Sequence, residues 1–190
     1  MSERYIRPAH SADLLSLVAA FGDHRFFSDR LERQRKNLGV LFLAWLDCRL
    51  AGNVYLWLEE AEEPPIRRRL PGVALLTHLQ VHEELHNLGI GSSLMRVVEQ
   101  YLVEQGHERI ALAVRTDNPG AARLYARLGY REWGYGEVIC HAQRSLADGG
   151  LLEEPEQCHV LTKNLPRSSP SVPQPRTWKV GATWRVGTDR

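Results

Sequence analysis

Residues 79–95 read Leu79-Gln80-Val81-His82-Glu83-Glu84-Leu85-His86-Asn87-Leu88-Gly89-Ile90-Gly91-Ser92-Ser93-Leu94-Met95, and two incompatible structures fit them. His82 to His86 spell H-E-x-x-H, which inside a helix sets two imidazoles on one face for zinc, with Glu83 as general base. The same residues also lead from an apolar strand through Gly89-Ile90-Gly91 into a helix. That construction makes a main-chain cradle for phosphate.

The flanking residues separate the two. Leu75, Leu76, Leu79 and Val81 have strand character and Gly89 and Gly91 follow closely, so the histidines do not sit inside a helix. The longer zinc pattern H-E-x-x-H-x-x-G-x-x-H is met at Gly89, but Ser92 stands where the third histidine is needed. A zinc hydrolase is therefore the remote alternative and no metal is expected. Beyond the glycines, Leu94, Val97, Val98, Tyr101 and Leu102 recur with helical spacing, which predicts a helix over 91–105. Leu94 occupies the third glycine position of a dinucleotide fingerprint, and no Gly-Lys-Ser/Thr follows, so neither nucleotide loop applies.

Working outward, Tyr5 to Pro8 reads as a first strand, and Ser11 with Asp13 as caps for a helix carrying Leu14, Leu15, Leu17, Val18 and Phe21. A second helix is expected over 28–37. Val40–Leu46 and Leu50–Leu58 are apolar runs around Asp47-Cys48-Arg49, as in a hairpin. Residues 59–70 are expected to be a charged loop and 73–81 a strand. Ile110 to Val114 is an apolar strand, and Pro119 starts a helix with Ala121, Leu124, Tyr125 and Leu128 on one stripe, ended by Gly129. Late strands are expected over 130–133, 137–141 and 158–165.

The 190 residues suit one domain, and 24 basic against 23 acidic side chains argue for neither nucleic acid nor a membrane surface. Three irregularly spaced cysteines fit reduced thiols in a cytoplasm. No stretch reaches the roughly 20 apolar residues of a membrane span. The domain is expected over 1–165, with 166–190 a basic, Pro/Ser-rich and disordered tail.

Specificity comes from Asn118-Pro119-Gly120-Ala121-Ala122-Arg123-Leu124-Tyr125-Ala126-Arg127-Leu128-Gly129-Tyr130. With the Gly89 loop, this segment resembles the GNAT superfamily of acyl-coenzyme A-dependent acyltransferases. The resemblance runs from Tyr5 to about Leu165. It implies an α/β fold with a mixed, mostly antiparallel sheet flanked by helices, two strands being splayed at the acyl-CoA site. By the same resemblance, the main chain of Asn87, Leu88, Gly89, Ile90, Gly91 and Ser92 binds the pyrophosphate, with His86 where Arg or Gln is usual. Leu79, Gln80 and Val81 pair with the pantetheine arm, and a main-chain N–H near Leu79 holds the thioester carbonyl. Asn118 contacts the arm, and Tyr125 protonates the departing thiolate.

The implied reaction is acetyl transfer from acetyl-CoA to a primary amine by direct attack, through a tetrahedral intermediate. Ribosomal-protein acetyltransferases of this superfamily keep a glutamate where Ala113 stands, and the histone enzymes keep one where Leu75 stands. His78 becomes the candidate base, with Glu137 and His141 as weaker alternatives. Loss of both glutamates favours a small-molecule acceptor, and a homodimer is left open. The alternative of another class is an acyl-CoA-binding module that senses without turnover.

Overall fold

A computed structural model of the chain describes residues 4–145, 151–167 and 184–185. Eight strands and five α-helices lie among the described residues. They are β1 (Arg4–Pro8), α1 (Leu14–Phe21), α2 (His24–Arg35), β2 (Gly39–Leu46), β3 (Arg49–Trp57), α3 (Pro64–Arg69) and β4 (Ala74–Val81), then α4 (Ile90–Glu104), β5 (Arg109–Arg115), α5 (Pro119–Arg127), β6 (Arg131–Ser145), β7 (Leu151–Asn164) and β8 (Trp184–Arg185). The strands form one sheet in the order β6-β7-β5-β4-β3-β2-β1-β8. Among the described pairings only β4–β5 is parallel, so the expected α/β fold with a mostly antiparallel sheet is present.

Both faces of the central strands are apolar because both are covered. Phe42, Val54, Leu56, Leu76 and Leu112 pack beneath α4 and α5, together with Leu94, Val98, Leu102 and Tyr125. The alternate residues Leu41, Leu43, Tyr55, Leu75 and Ala111 pack against α1, α2 and α3 through Leu17, Phe27 and Ile66. We call these the α4–α5 face and the α1–α2 face. Alternation along each strand sends neighbouring side chains to opposite cores.

Three expectations are corrected. The second helix spans His24–Arg35 rather than 28–37, because the Asp23 side chain accepts from the Phe26 amide and starts it early. The charged segment 59–70 contains α3, which Pro64 and Pro65 open and which buries Ile66, with Leu70 buried just past its end. The strands expected over 130–133 and 137–141 are one strand, β6. It pairs with β7 on both sides of an excursion over 133–136, where Gly134 and Gly136 have positive φ. The tail expected to be disordered lies mostly outside the described residues, but Trp184–Arg185 pairs antiparallel with β1, satisfying part of an otherwise open edge.

Candidate active site

β3 and β4 pair Asn53 with Gln80 and then Tyr55 with Thr77, so Val54 alone faces two residues, His78 and Leu79. β4 therefore carries a bulge, and His78 takes a positive φ of 52° there. On its other side β4 pairs with β5 only from Ala74–Ile110 to Leu76–Leu112. Past that point β5 continues with β7 up to Arg115, while Leu79, Gln80 and Val81 have no partner on the β5 side among the described pairings. The bulge and the parting together open a cleft in the sheet. Because the His82 amide donates to the Ala51 carbonyl at 3.0 Å, alternation turns the Val81 main-chain groups into that cleft.

The chain leaves β4 through one 3-10 turn, Glu83–Leu85, with non-helical His82 before it and extended His86 after it. The H-E-x-x-H residues are thus outside any α-helix, and their rings part company. His82 stacks on Phe21 at 4.8 Å. The His86 Nε2 lies 3.0 Å from the Val81 carbonyl, a geometry in which the ring N–H donates. This ties the loop to the end of β4.

Asn87 and Gly89 both have positive φ, 62° and 77°, which swings the backbone to open α4. Ser93 is the first residue whose amide finds an intrahelical carbonyl, that of Gly89 at 3.0 Å, and no side chain caps the helix. The Ile90, Gly91 and Ser92 amides are thus first-turn donors aligned with the positive end of the helix dipole. A methyl at Gly91 would lie 3.5 Å from Leu124 and 3.9 Å from Leu79 and Val81. The start of α4, the middle of α5 and the splayed end of β4 therefore converge at one place.

Tyr125 projects from α5 on the α4–α5 face. Only 7% of it is exposed, and its ring meets Tyr130 edge-on at 5.9 Å. Burial alone pushes its phenol up to about 12, so it carries its proton at any ordinary pH. Asn118 caps α5, its Oδ1 accepting from the Ala121 amide at 3.0 Å; the side-chain NH₂ keeps two donors for another group.

His78 lies on the opposite, α1–α2 face, 4.0 Å from the Phe26 ring and 6.0 Å from that of Phe27. Burial and then the Arg30 charge push its imidazole down to about 4, against a hydrogen bond with Gln80 that raises it. More than a third of the residue is nonetheless exposed to solvent, which limits the shift without reversing it. Tyr125 and His78 thus approach the cleft from opposite faces. Glu137 and His141 are not brought to it. Glu137 lies on β6, two strands from β5 and so roughly 10 Å from it; there it pairs with His159 of β7 and accepts from Gln157.

Sequence reasoning missed the contributions of four residues. Phe21, read as a helix stripe residue, covers His82, and Phe26, which precedes the helix expected over 28–37, covers His78. Asn53, fully buried and paired with Gln80, has neither side-chain amide atom hydrogen-bonded among the described residues. A polar residue in the apolar run 50–58 was the available signal for it. Arg4 donates to the Leu88 carbonyl at 3.1 Å, a contact that no local spacing foretells.

The sequence profile of the Acetyltransferase (GNAT) family matches residues 8–130. Among solved structures, the ribosomal-protein-S18-alanine N-acetyltransferase of Escherichia coli superposes with TM-score 0.63 at 16% identity, covering 90% of this chain and 99% of that one. A GNAT-family acetyltransferase from Streptococcus pneumoniae gives 0.62 at 20% identity, over 86% and 100%. The PaiA N-acetyltransferase from Thermoplasma acidophilum, in complex with coenzyme A, gives 0.60 at 15% identity, over 85% and 98%. These likenesses concern the fold. The family profile covers more than half of the chain, including the bulged strand, the glycine loop and α5, and it is this match that makes the protein an acyltransferase of the GNAT acetyltransferase family.

Proposed function

We propose that the protein transfers the acetyl group of acetyl-CoA directly to a primary amine of a small molecule. One observation carries this reading: β4 and β5 part beyond Leu76–Leu112, at a bulge flanked by Tyr125 on one face and His78 on the other. Acyl transfer to nitrogen needs a nucleophile arriving and a thiolate leaving at one carbonyl carbon. Groups that serve the two events are best placed on different sides of it.

In this reading the Asn87–Ser92 main chain takes the pyrophosphate, and the backbone of Leu79, Gln80 and Val81 lies along the pantetheine arm, with the Asn118 NH₂ as a further contact. The fit is chemical: the loop offers first-turn amides without a capping side chain, and Val81 offers its main-chain N–H in the cleft. Acetyl-CoA supplies the activated acyl group. A Leu79 main-chain N–H meets the carbonyl oxygen, whose negative charge grows as the amine attacks.

The neutral amine forms the C–N bond, the C–S bond breaks, and the thiolate takes the Tyr125 proton. A phenol held near 12 by a dry site is matched by a thiolate whose own basicity rises in the same dry cleft. His78 is neutral at pH 7 and accepts a hydrogen bond from the attacking nitrogen. Its low basicity means that it passes the amine's proton on to solvent rather than holding it. The phenolate recovers a proton in turn.

Ala113, an exposed residue on β5, leaves this site without the carboxylate of the ribosomal-protein branch, which favours a small acceptor. A cytoplasmic setting fits the coenzyme, and no helix among the described residues is long and apolar enough to cross a membrane. The test is thiol release from acetyl-CoA with a mixed panel of small amines and peptides. Acetylated small amines support the reading. Acetylation of peptides alone would overturn the acceptor class, and acetyl-CoA binding without turnover on any acceptor would favour a sensing module.

A further inference from the structure

The end of the sheet that carries the start of α4 also carries four strand-end arginines, at the first residue of β1 (Arg4), the first of β3 (Arg49), the last of β5 (Arg115) and the last of β8 (Arg185). Two are neutralised. Arg49 pairs with Glu84 at 2.9 Å, and Arg115 with Asp117 at 2.6 Å and Glu156 at 3.1 Å. Arg4 faces no carboxylate among the described ion pairs; its Nη1 donates to the Leu88 carbonyl at 3.1 Å.

The register makes this contact deliberate. Arg4 is opposite Leu46 and lies two residues before Ile6, whose side chain belongs to the core under α4. Alternation puts the guanidinium on the same face as α4, and the bond to Leu88 holds it one residue from Gly89. A guanidinium has five N–H donors, so a single bond to Leu88 leaves four.

The loop itself lacks a full positive charge. Its amides bring only dipoles, Glu83 and Glu84 precede it, and the imidazole of His86 is engaged with the Val81 carbonyl. We infer that Arg4, from the first strand, is the cation that binds the coenzyme pyrophosphate beside the Gly89 amides. The inference rests on the acyl-CoA reading above and assigns a residue to it that lies more than 80 positions away from the loop in sequence.

The experiment compares wild type, Arg4→Gln and Arg4→Lys with three probes: acetyl-CoA, acetyl-dephospho-CoA, which keeps the pyrophosphate, and S-acetyl-pantetheine, which lacks it. Arg4→Gln keeps a side-chain N–H but loses the charge, and a melting curve verifies its folding. The expected result is a rise in KM of about 10- to 100-fold for both nucleotide-bearing donors, a weaker dependence on salt, partial rescue by Arg4→Lys, and unchanged kinetics with acetyl-pantetheine.

Unchanged KM for acetyl-CoA would overturn the inference. So would a loss shared with acetyl-pantetheine, which marks a mere brace for the loop, or a loss confined to acetyl-CoA, which assigns Arg4 to the 3′-phosphate. If wild type binds none of the three donors, the acyl-CoA reading itself has failed.

Discussion

Tyr125→Phe separates chemistry from folding. The hydroxyl makes no hydrogen bond among the described residues and is not among the fully buried polar atoms without partners, so its removal leaves no orphaned group. The phenyl ring keeps its edge-on contact with Tyr130 at 5.9 Å. Stability should change by no more than about 0.5 kcal/mol. Catalysis should not be spared. A positioned general acid contributes about 100- to 10,000-fold, or about 2.7–5.5 kcal/mol of barrier.

The assay is thiol release at saturating acetyl-CoA and amine, beside thermal melts with and without acetyl-CoA. The expected outcome is a large fall in kcat, an unchanged melting temperature and an unchanged shift with acetyl-CoA. Because burial holds the wild-type phenol up to about 12, its acid form is intact at every ordinary assay pH. Tyr125 should therefore cause no alkaline loss of rate below about pH 10. A variant that keeps kcat within about threefold of wild type refutes the acid role.

Other consequences concern the cleft and its surroundings. His78 is held down to about 4, below its unfolded value of about 6.5, so its contribution to stability is present above pH 6.5 and is lost as pH falls toward 4. A sealed ring would be worth about 3 kcal/mol, and solvent exposure reduces this to about 1 kcal/mol. An NMR titration midpoint at or above 6.5 contradicts it. Gly89→Ala should cost about 1 kcal/mol and weaken acyl-CoA binding, because φ there is 77° and nothing crowds the added methyl, so the cost is purely backbone. Gly91→Ala meets only ordinary contacts; equal unfolding free energies for the two variants would argue against the left-handed turn. Asn53→Leu should stabilise the fold by about 1–3 kcal/mol, since it removes a buried amide without partners, and calorimetry showing a loss would mean that the amide is satisfied after all.

The helices that frame the cleft were legible because each has both a period and a start signal. The stripe of α4 repeats over two turns and the glycines precede it, while Pro119 opens α5 where Asn118 caps it. The bulge was not legible. In Leu75-Leu76-Thr77-His78-Leu79-Gln80-Val81 nothing marks His78 as the extra residue, since the register is imposed by β3 and the parting by β5, both remote in sequence. The same holds for Arg4. Helix α3 was hidden because three consecutive arginines mask the two apolar residues that bury it, and the excursion in β6 because its glycines resemble an ordinary turn between strands.

The site assignment stands or falls on where acetyl-CoA lies. Amide hydrogen exchange, residue by residue, with and without saturating acetyl-CoA, measures this directly. The account expects slowed exchange at Leu79, Val81 and Gly89 to Ser92, with the far edge of the sheet at β6 unaffected. Tight binding that leaves those amides unprotected, or that protects only residues outside the β4–β5 cleft, would contradict it.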